Sequence, residues 1–140
     1  MQKVISLFLI VLFSSMFLSC SQAQTKTKKT STGKLLVYYF HSTDRCVTCN
    51  AVENNARALL EESYKTKIDN GTIKFASYNI DEEENKALVE KYQVAFSTLL
   101  IIKADGTKTD FTNTAFQYAK NNPKKYKELL NAEIKKQLGN

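Results

Sequence analysis

The sequence predicts an α/β fold, a mixed sheet flanked by helices, and three observations carry that expectation. A continuous apolar run from Leu35 to Phe40 has the pattern of a strand buried on both faces. Apolar residues at helical spacing follow it, and the full order reads strand, helix, strand, helix, strand, strand, helix. Turn signals at Asp69-Asn70-Gly71 and Asp105-Gly106 separate these periods. With 140 residues, 43% hydrophobic and 24% charged, the chain has the material for one packed domain and lacks the composition of a disordered one.

The first segment is read as an address. Lys3 precedes an apolar run from Val4 to Leu18, broken only by Ser6, Ser14 and Ser15, that stops at Ser19-Cys20. The run is shorter than the roughly 20 residues of a membrane span, and with its charged start it describes an export signal over residues 1–19. Two cleavage readings stand side by side. Phe17-Leu18-Ser19-Cys20 resembles a bacterial lipoprotein box, which makes Cys20 the lipidated first residue; the alternative is ordinary cleavage after Ser21-Gln22-Ala23. Residues 20–33, rich in Thr, Lys, Gln and Ser, form a flexible tether, and the folded domain is expected over 34–140. The protein is therefore expected to be exported to the periplasm and lipid-anchored to a bacterial membrane.

After the first strand a polar loop leads to Cys46, where a helix begins with Val52, Ala56, Leu59 or Leu60 and Tyr64 on its apolar side and Glu53, Asn54, Arg57 and Glu61 between them. Thr72 to Ile80 is the second strand, with Ile73, Phe75 and Tyr78 inward. Asp81 is placed as a helix cap with Glu84 as its capping-box partner, and Leu88, Val89 and Tyr92 form that helix's apolar side. Ser97 to Lys103 and Thr107 to Phe111 read as a hairpin about Asp105-Gly106, the polar second arm suiting a sheet edge. Asn113 to Asn122 is left open between a short helix and a loop. Pro123 opens the last helix, striped by Tyr126, Leu129, Leu130, Ile134 and Leu138.

Chemistry concentrates in Cys46-Val47-Thr48-Cys49, a C-x-x-C where a strand hands over to a helix. Unpaired N–H groups and the helix dipole stabilise a thiolate there, so the first cysteine becomes a nucleophile and the second, one turn inside, resolves. Arg45 and His41 are candidates for lowering the thiol pKa. Three uses of the pair are open: redox exchange, an inert staple, and metal binding. A staple closes only a tiny loop and contributes little chain entropy. As metal ligands, two thiolates suit Cu(I) or half a zinc site, with His41 as third ligand.

The stretch from Lys34 to Asn140 resembles a thioredoxin-like domain. The resemblance rests on the aromatic-rich first strand, the C-x-x-C, and Tyr92-Gln93-Val94 followed by Ser97-Thr98-Leu99-Leu100-Ile101-Ile102-Lys103 and Asp105-Gly106. It implies a three-layer α/β/α sandwich with a four- to five-stranded mixed sheet, Cys46 as attacking and Cys49 as resolving thiol. Arg45, Phe96, Ser97 and Thr98 then contact the substrate backbone. The implied activity is thiol-disulfide exchange with partner-protein thiols and disulfides, without a cofactor, and with a membrane electron-transfer protein as a further partner. Three positions depart from the family pattern: Ser97 replaces the cis-proline, Arg45 replaces the tryptophan before the first cysteine, and Tyr39 or Phe40 falls where a buried acid is usual. A proton relay to Cys49 must then use another group or water. The alternatives are a thioredoxin-shaped copper or zinc carrier through Cys46, Cys49 and His41, and a redox-silent module that binds a partner through Phe96 to Thr98.

Other classes are excluded by counting. Three cysteines and one histidine cannot close a four-ligand zinc finger, and four isolated glycines form no phosphate-cradling loop. The net charge of +6, from 20 basic and 14 acidic residues, is too dispersed for a nucleic-acid binder.

Overall fold

The computed structural model describes residues 34–139. The export signal, Cys20 and the tether lie outside these residues.

Four strands form one mixed sheet in the order β2-β1-β3-β4. Strand β1 (Leu35–His41) runs parallel to β2 (Ile73–Asn79) and antiparallel to β3 (Thr98–Ile102), which pairs antiparallel with β4 (Lys108–Asp110). Helix α1 (Val47–Asp69) joins β1 to β2, and helix α2 (Lys86–Tyr92) joins β2 to β3. Helices α3 (Thr112–Tyr118) and α4 (Pro123–Leu138) complete the chain. The result is a three-layer α/β/α sandwich, as the sequence predicts.

Alternation along β1 divides its side chains between two cores. Leu35, Val37 and Tyr39 pack with α1, α3 and α4 through Val52, Ala56, Leu60, Ala115, Tyr126, Leu130 and Ile134. Tyr38 and Phe40 pack on the other face with Leu100, Ile102, Val94 and the α2 residues Leu88, Val89 and Tyr92. Of the three residues expected inward on β2, Ile73 and Phe75 face the α1 side and Tyr78 the α2 side.

One element differs from the sequence reading, and one left open by it is decided. Asp81 caps no helix: its carboxylate accepts the Thr43 N–H at 2.7 Å. The chain instead makes a 3₁₀ turn over Glu83–Asn85 before α2, whose capping residue Asn85 makes no side-chain cap bond. A contact across 38 residues has outcompeted the local capping box. The open segment after β4 is helical from Thr112, because the Asp110 carboxylate accepts the Thr112 N–H at 2.9 Å. Ala115 and Ala119 then allow close packing, and the Ala119 carbonyl accepts a bond from Asn55 of α1 at 3.0 Å.

Helix α4 begins where Asn122 accepts the Lys125 N–H at 3.1 Å, with Pro123 in the first turn. It is fastened to α1 by the Tyr126 hydroxyl, which donates to the Val52 carbonyl at 3.1 Å. Leu130 is fully buried between these helices and the sheet. Leu130→Ala is expected to lower stability by about 2–5 kcal/mol through lost burial and the cavity left behind. Urea unfolding followed by circular dichroism checks this, and an unchanged midpoint would contradict the packing described.

Candidate functional site

The C-terminal end of β1 delivers the chain to a loop braced from a distance. Thr43 is held through its N–H by Asp81, and its hydroxyl accepts from Asn79 at 3.0 Å. The Ser42 hydroxyl donates to the Asp44 carbonyl at 3.0 Å. These bonds tie the loop after β1 to the loop after β2 and fix where α1 starts.

Cys46 is the capping residue of α1. Its backbone is extended (φ −75°, ψ 164°), and its sulfur accepts the Cys49 N–H at 3.2 Å. Cys46 is exposed and Cys49, at 7% exposure, is buried; both are free thiols, with their sulfurs 2.6 Å apart. A disulfide of about 2.05 Å is therefore within reach of a small closure. The Cys46 thiol is held below its ordinary value, first by the hydrogen bond from the Cys49 thiol, then by the Cys49 N–H and further by the Thr48 N–H. These are the orphan donors of a helix start, directed at one sulfur.

The two side chains proposed as tuners are engaged elsewhere. Arg45 donates from Nη2 to Glu53 Oε2 at 2.6 Å, and its guanidinium lies 5.8 Å from the centre of the Tyr39 ring. His41 donates from Nδ1 to the Ser42 carbonyl at 2.9 Å and tilts against Tyr39. Neither is among the causes that lower the Cys46 thiol. Nor does His41 complete a metal site, since among the described residues no group of three His, Cys, Asp or Glu side chains is placed to hold an ion. The physical reason is competition: Glu53 and the Ser42 carbonyl offer each group a nearer acceptor.

Glu53 is a member of the site that sequence reasoning passed over as a solvated polar position. It is 9% exposed and receives Arg45 on one oxygen and Arg57 on the other, the latter at 2.8 Å. Burial alone would raise its pKa, but the two guanidinium hydrogen bonds outweigh burial and hold the carboxyl below its usual value. The signal was present: Cys49, Val52, Glu53, Ala56, Leu59 and Leu60 form one buried stripe, and Glu53 falls on it.

At the end of the sheet where β1 finishes, the loop before β3 carries Phe96, 66% exposed, and Ser97, half-buried. Thr98 is buried and its hydroxyl donates to the Phe96 carbonyl at 2.8 Å, so it braces the loop from inside. All described peptide bonds are trans, including the one at Ser97. Val47, 68% exposed, stands beside Cys46, and Val47 and Phe96 are the two large apolar side chains left exposed among the described residues.

No family model matches the chain, and no curated protein matches it. Among solved structures it is similar to a malarial protein, with 21% identity over 75% of this chain and 98% of that one, at a TM-score of 0.48. It is also similar to the germline-specific thioredoxin Deadhead of Drosophila melanogaster, with 21% identity over 73% and 80% of the two chains and a TM-score of 0.48. The thioredoxin of Fasciola hepatica gives 22% identity over 75% and 82%, with a TM-score of 0.47. The chemistry of the site rests on its own geometry.

Because Glu53 titrates lower in the folded than in the unfolded chain, the unfolded state binds the proton first as pH falls. Its stabilisation is complete above the unfolded carboxyl value of about 4.3 and is lost as pH falls below it towards the folded value. Glu53→Gln should flatten that part of a stability-against-pH curve measured by urea unfolding. A curve of unchanged slope would remove Glu53 from the account.

Proposed function

We propose that the protein is a thiol-disulfide oxidoreductase acting on the thiols and disulfides of partner proteins. The observation that carries this reading is the exposed Cys46 sulfur, held below its ordinary pKa at the start of α1, with the buried Cys49 sulfur 2.6 Å behind it.

In the reducing direction the Cys46 thiolate attacks one sulfur of a partner disulfide. The partner bond breaks, its other sulfur leaves as a thiolate, and Cys46 is joined to the partner in a mixed disulfide. Cys49 then loses its proton and attacks the Cys46 sulfur, releasing the partner's second thiolate and leaving a Cys46–Cys49 disulfide. Two electrons pass from the pair to the partner, so the exchange itself needs no cofactor. Running the steps backwards oxidises a partner dithiol. The division of labour follows exposure, since a partner can reach Cys46 and not Cys49.

Val47, next to Cys46 in the chain, and the exposed Phe96 offer apolar contact to a partner, and Ser97 with the Thr98-braced loop offers polar backbone to an extended partner segment. Arg45 is held by Glu53 and supports the loop from behind. Lys3, the apolar run to Leu18 and Ser19-Cys20 support export and a lipid anchor through Cys20 at a bacterial membrane, facing the periplasm. That compartment is oxidising, so a reducing role there draws electrons from a membrane electron-transfer protein. The metal-carrier reading loses its third ligand in the His41 geometry.

Equilibration of the purified protein in graded thiol/disulfide buffers under chelator, with free thiols counted by alkylation, tests the proposal. A reversible two-electron transition is expected between about −270 and −120 mV, and none in that range overturns it. Cys49→Ser should accumulate a mixed disulfide that native protein resolves, while Cys46→Ser should lose exchange altogether. In native protein Cys46 should react with iodoacetamide half-maximally at a pH below the roughly 8.5 of a free thiol.

A further inference from the structure

The end of the sheet opposite the cysteines holds a cavity that thiol exchange does not use. It measures about 510 Å³ and opens on the α2 face. Helix length explains why it is there. Helix α2 has seven residues, roughly 10 Å at about 1.5 Å per residue, whereas the seven residues of β1 extend roughly 23 Å. So short a helix cannot cover the whole face, and past its last residue, Tyr92, the Leu36 end of the sheet stays open. The floor is a cross-strand row in which Leu36 of β1 pairs with Ile102 of β3, and Ile102 with Lys108 of β4. Tyr92 forms a wall, its ring edge-on to Tyr38 with centroids 5.9 Å apart.

Around this apolar floor stand Lys34, Lys91, Lys103 and Lys108, and no carboxylate lines the cavity. None of the four makes an ion pair with a described carboxylate, whereas Lys65, Lys86, Lys127 and Lys136 elsewhere on the surface do. Asp105, in the turn beside Lys103, commits its carboxylate to the Thr107 N–H at 2.9 Å. Two of the ammonium groups are gathered at Tyr92: Lys91 Nζ lies 5.3 Å from the ring centre, and Lys108 Nζ donates to the Tyr92 carbonyl at 3.4 Å. Lysines collected without a counter-charge repel one another, and an anion placed among them relieves that repulsion.

We propose that this cavity seats the phosphate headgroup of an anionic phospholipid. The lysine ammonium groups pair with the phosphate as point charges, and Leu36, Ile102 and Tyr92 receive the apolar part of the lipid next to it. A free, fully hydrated phosphate gains nothing from that floor. Lipid as the source rests on the reading of Cys20 as the membrane anchor: Lys34, on the rim of the cavity, is fourteen positions after Cys20, so the chain enters the domain at this end. Docking here sets the start of β1 against the membrane. Cys46, beyond the other end of β1, then faces away from the lipid and towards partner proteins.

The test is a footprint of lysine acetylation, read by mass spectrometry on the purified protein mixed with vesicles of phosphatidylglycerol or of phosphatidylcholine. With phosphatidylglycerol, Lys34, Lys91, Lys103 and Lys108 should be protected while Lys120, Lys124 and Lys125 keep reacting; with phosphatidylcholine, all should react. In the combined variant Lys34→Gln, Lys91→Gln, Lys108→Gln, protection of the remaining Lys103 should weaken about fivefold for each lysine removed. The matched variant Lys120→Gln, Lys124→Gln, Lys125→Gln loses the same charge and should keep it. No protection in the native protein, or equal protection of both lysine sets, overturns the proposal, and so does equal loss in the two variants, which marks general attraction of a basic chain. Glycerol phosphate at the same phosphate concentration, without vesicles, should leave the four lysines reactive; protection by it makes the ligand a soluble phosphate ester and overturns the lipid. The native footprint does not depend on either variant folding. The mass of the peptide carrying Cys20 reports the anchor separately, and an unacylated Cys20 overturns the anchor reading without touching the footprint.

Discussion

Strand β1 is the constraint on which the rest of the molecule depends. It is the one strand paired on one side by a parallel neighbour and on the other by an antiparallel one, and its side chains enter both cores. Leu35, Val37 and Tyr39 seat α1, α3 and α4, while Tyr38 and Phe40 seat α2. Hydrophobic burial on two faces fixes its register, since a slip by one residue would exchange the two sets. The same register ends the strand at His41, five residues before Cys46.

The electrostatics of the site follow from a contest over one carboxylate. Glu53 cannot remain buried as an isolated charge, and it draws in Arg45 and Arg57. Arg45 is thereby withheld from Cys46, whose thiol is instead stabilised by Cys49 and by the N–H groups at the start of α1. This division is chemically useful. The Cys49 thiol and the N–H groups at the start of α1 are fixed by the helix itself, whereas a long arginine side chain would have to be held in place by further contacts. The Arg45–Glu53–Arg57 cluster acts as scaffold, holding the loop before α1 against the first three turns of the helix.

Distance in sequence and nearness in space are joined around the cysteines by a few specific bonds. Asp81 and Asn79 at the end of β2 hold Thr43, and Thr98 holds the carbonyl of Phe96. The loop leading into α1 and the loop carrying Phe96 are thus both tied down, while Val47 at the start of α1 and Phe96 remain exposed.

The sequence by itself determined the order of strands and helices, the double-sided burial of β1 and the position of the cysteine pair at a helix start. Each of these is a property of contiguous residues: a period of two or 3.6, a turn at Asp105-Gly106, a proline at position 123, a spacing of three between thiols. Tertiary structure alone decided which groups meet. Asp81 had a plausible local role in its own capping box and took a distant one, because the Thr43 N–H needed an acceptor. Arg45 and His41 sat within sequence reach of Cys46 and were drawn to Glu53 and the Ser42 carbonyl. Tyr39 read as one more core aromatic until the fold laid the Arg45 guanidinium over its ring. Local pattern settles what a segment becomes, but a side chain's partner is chosen by register, helix placement and the competition among all nearby donors and acceptors, and those exist only once the chain has folded.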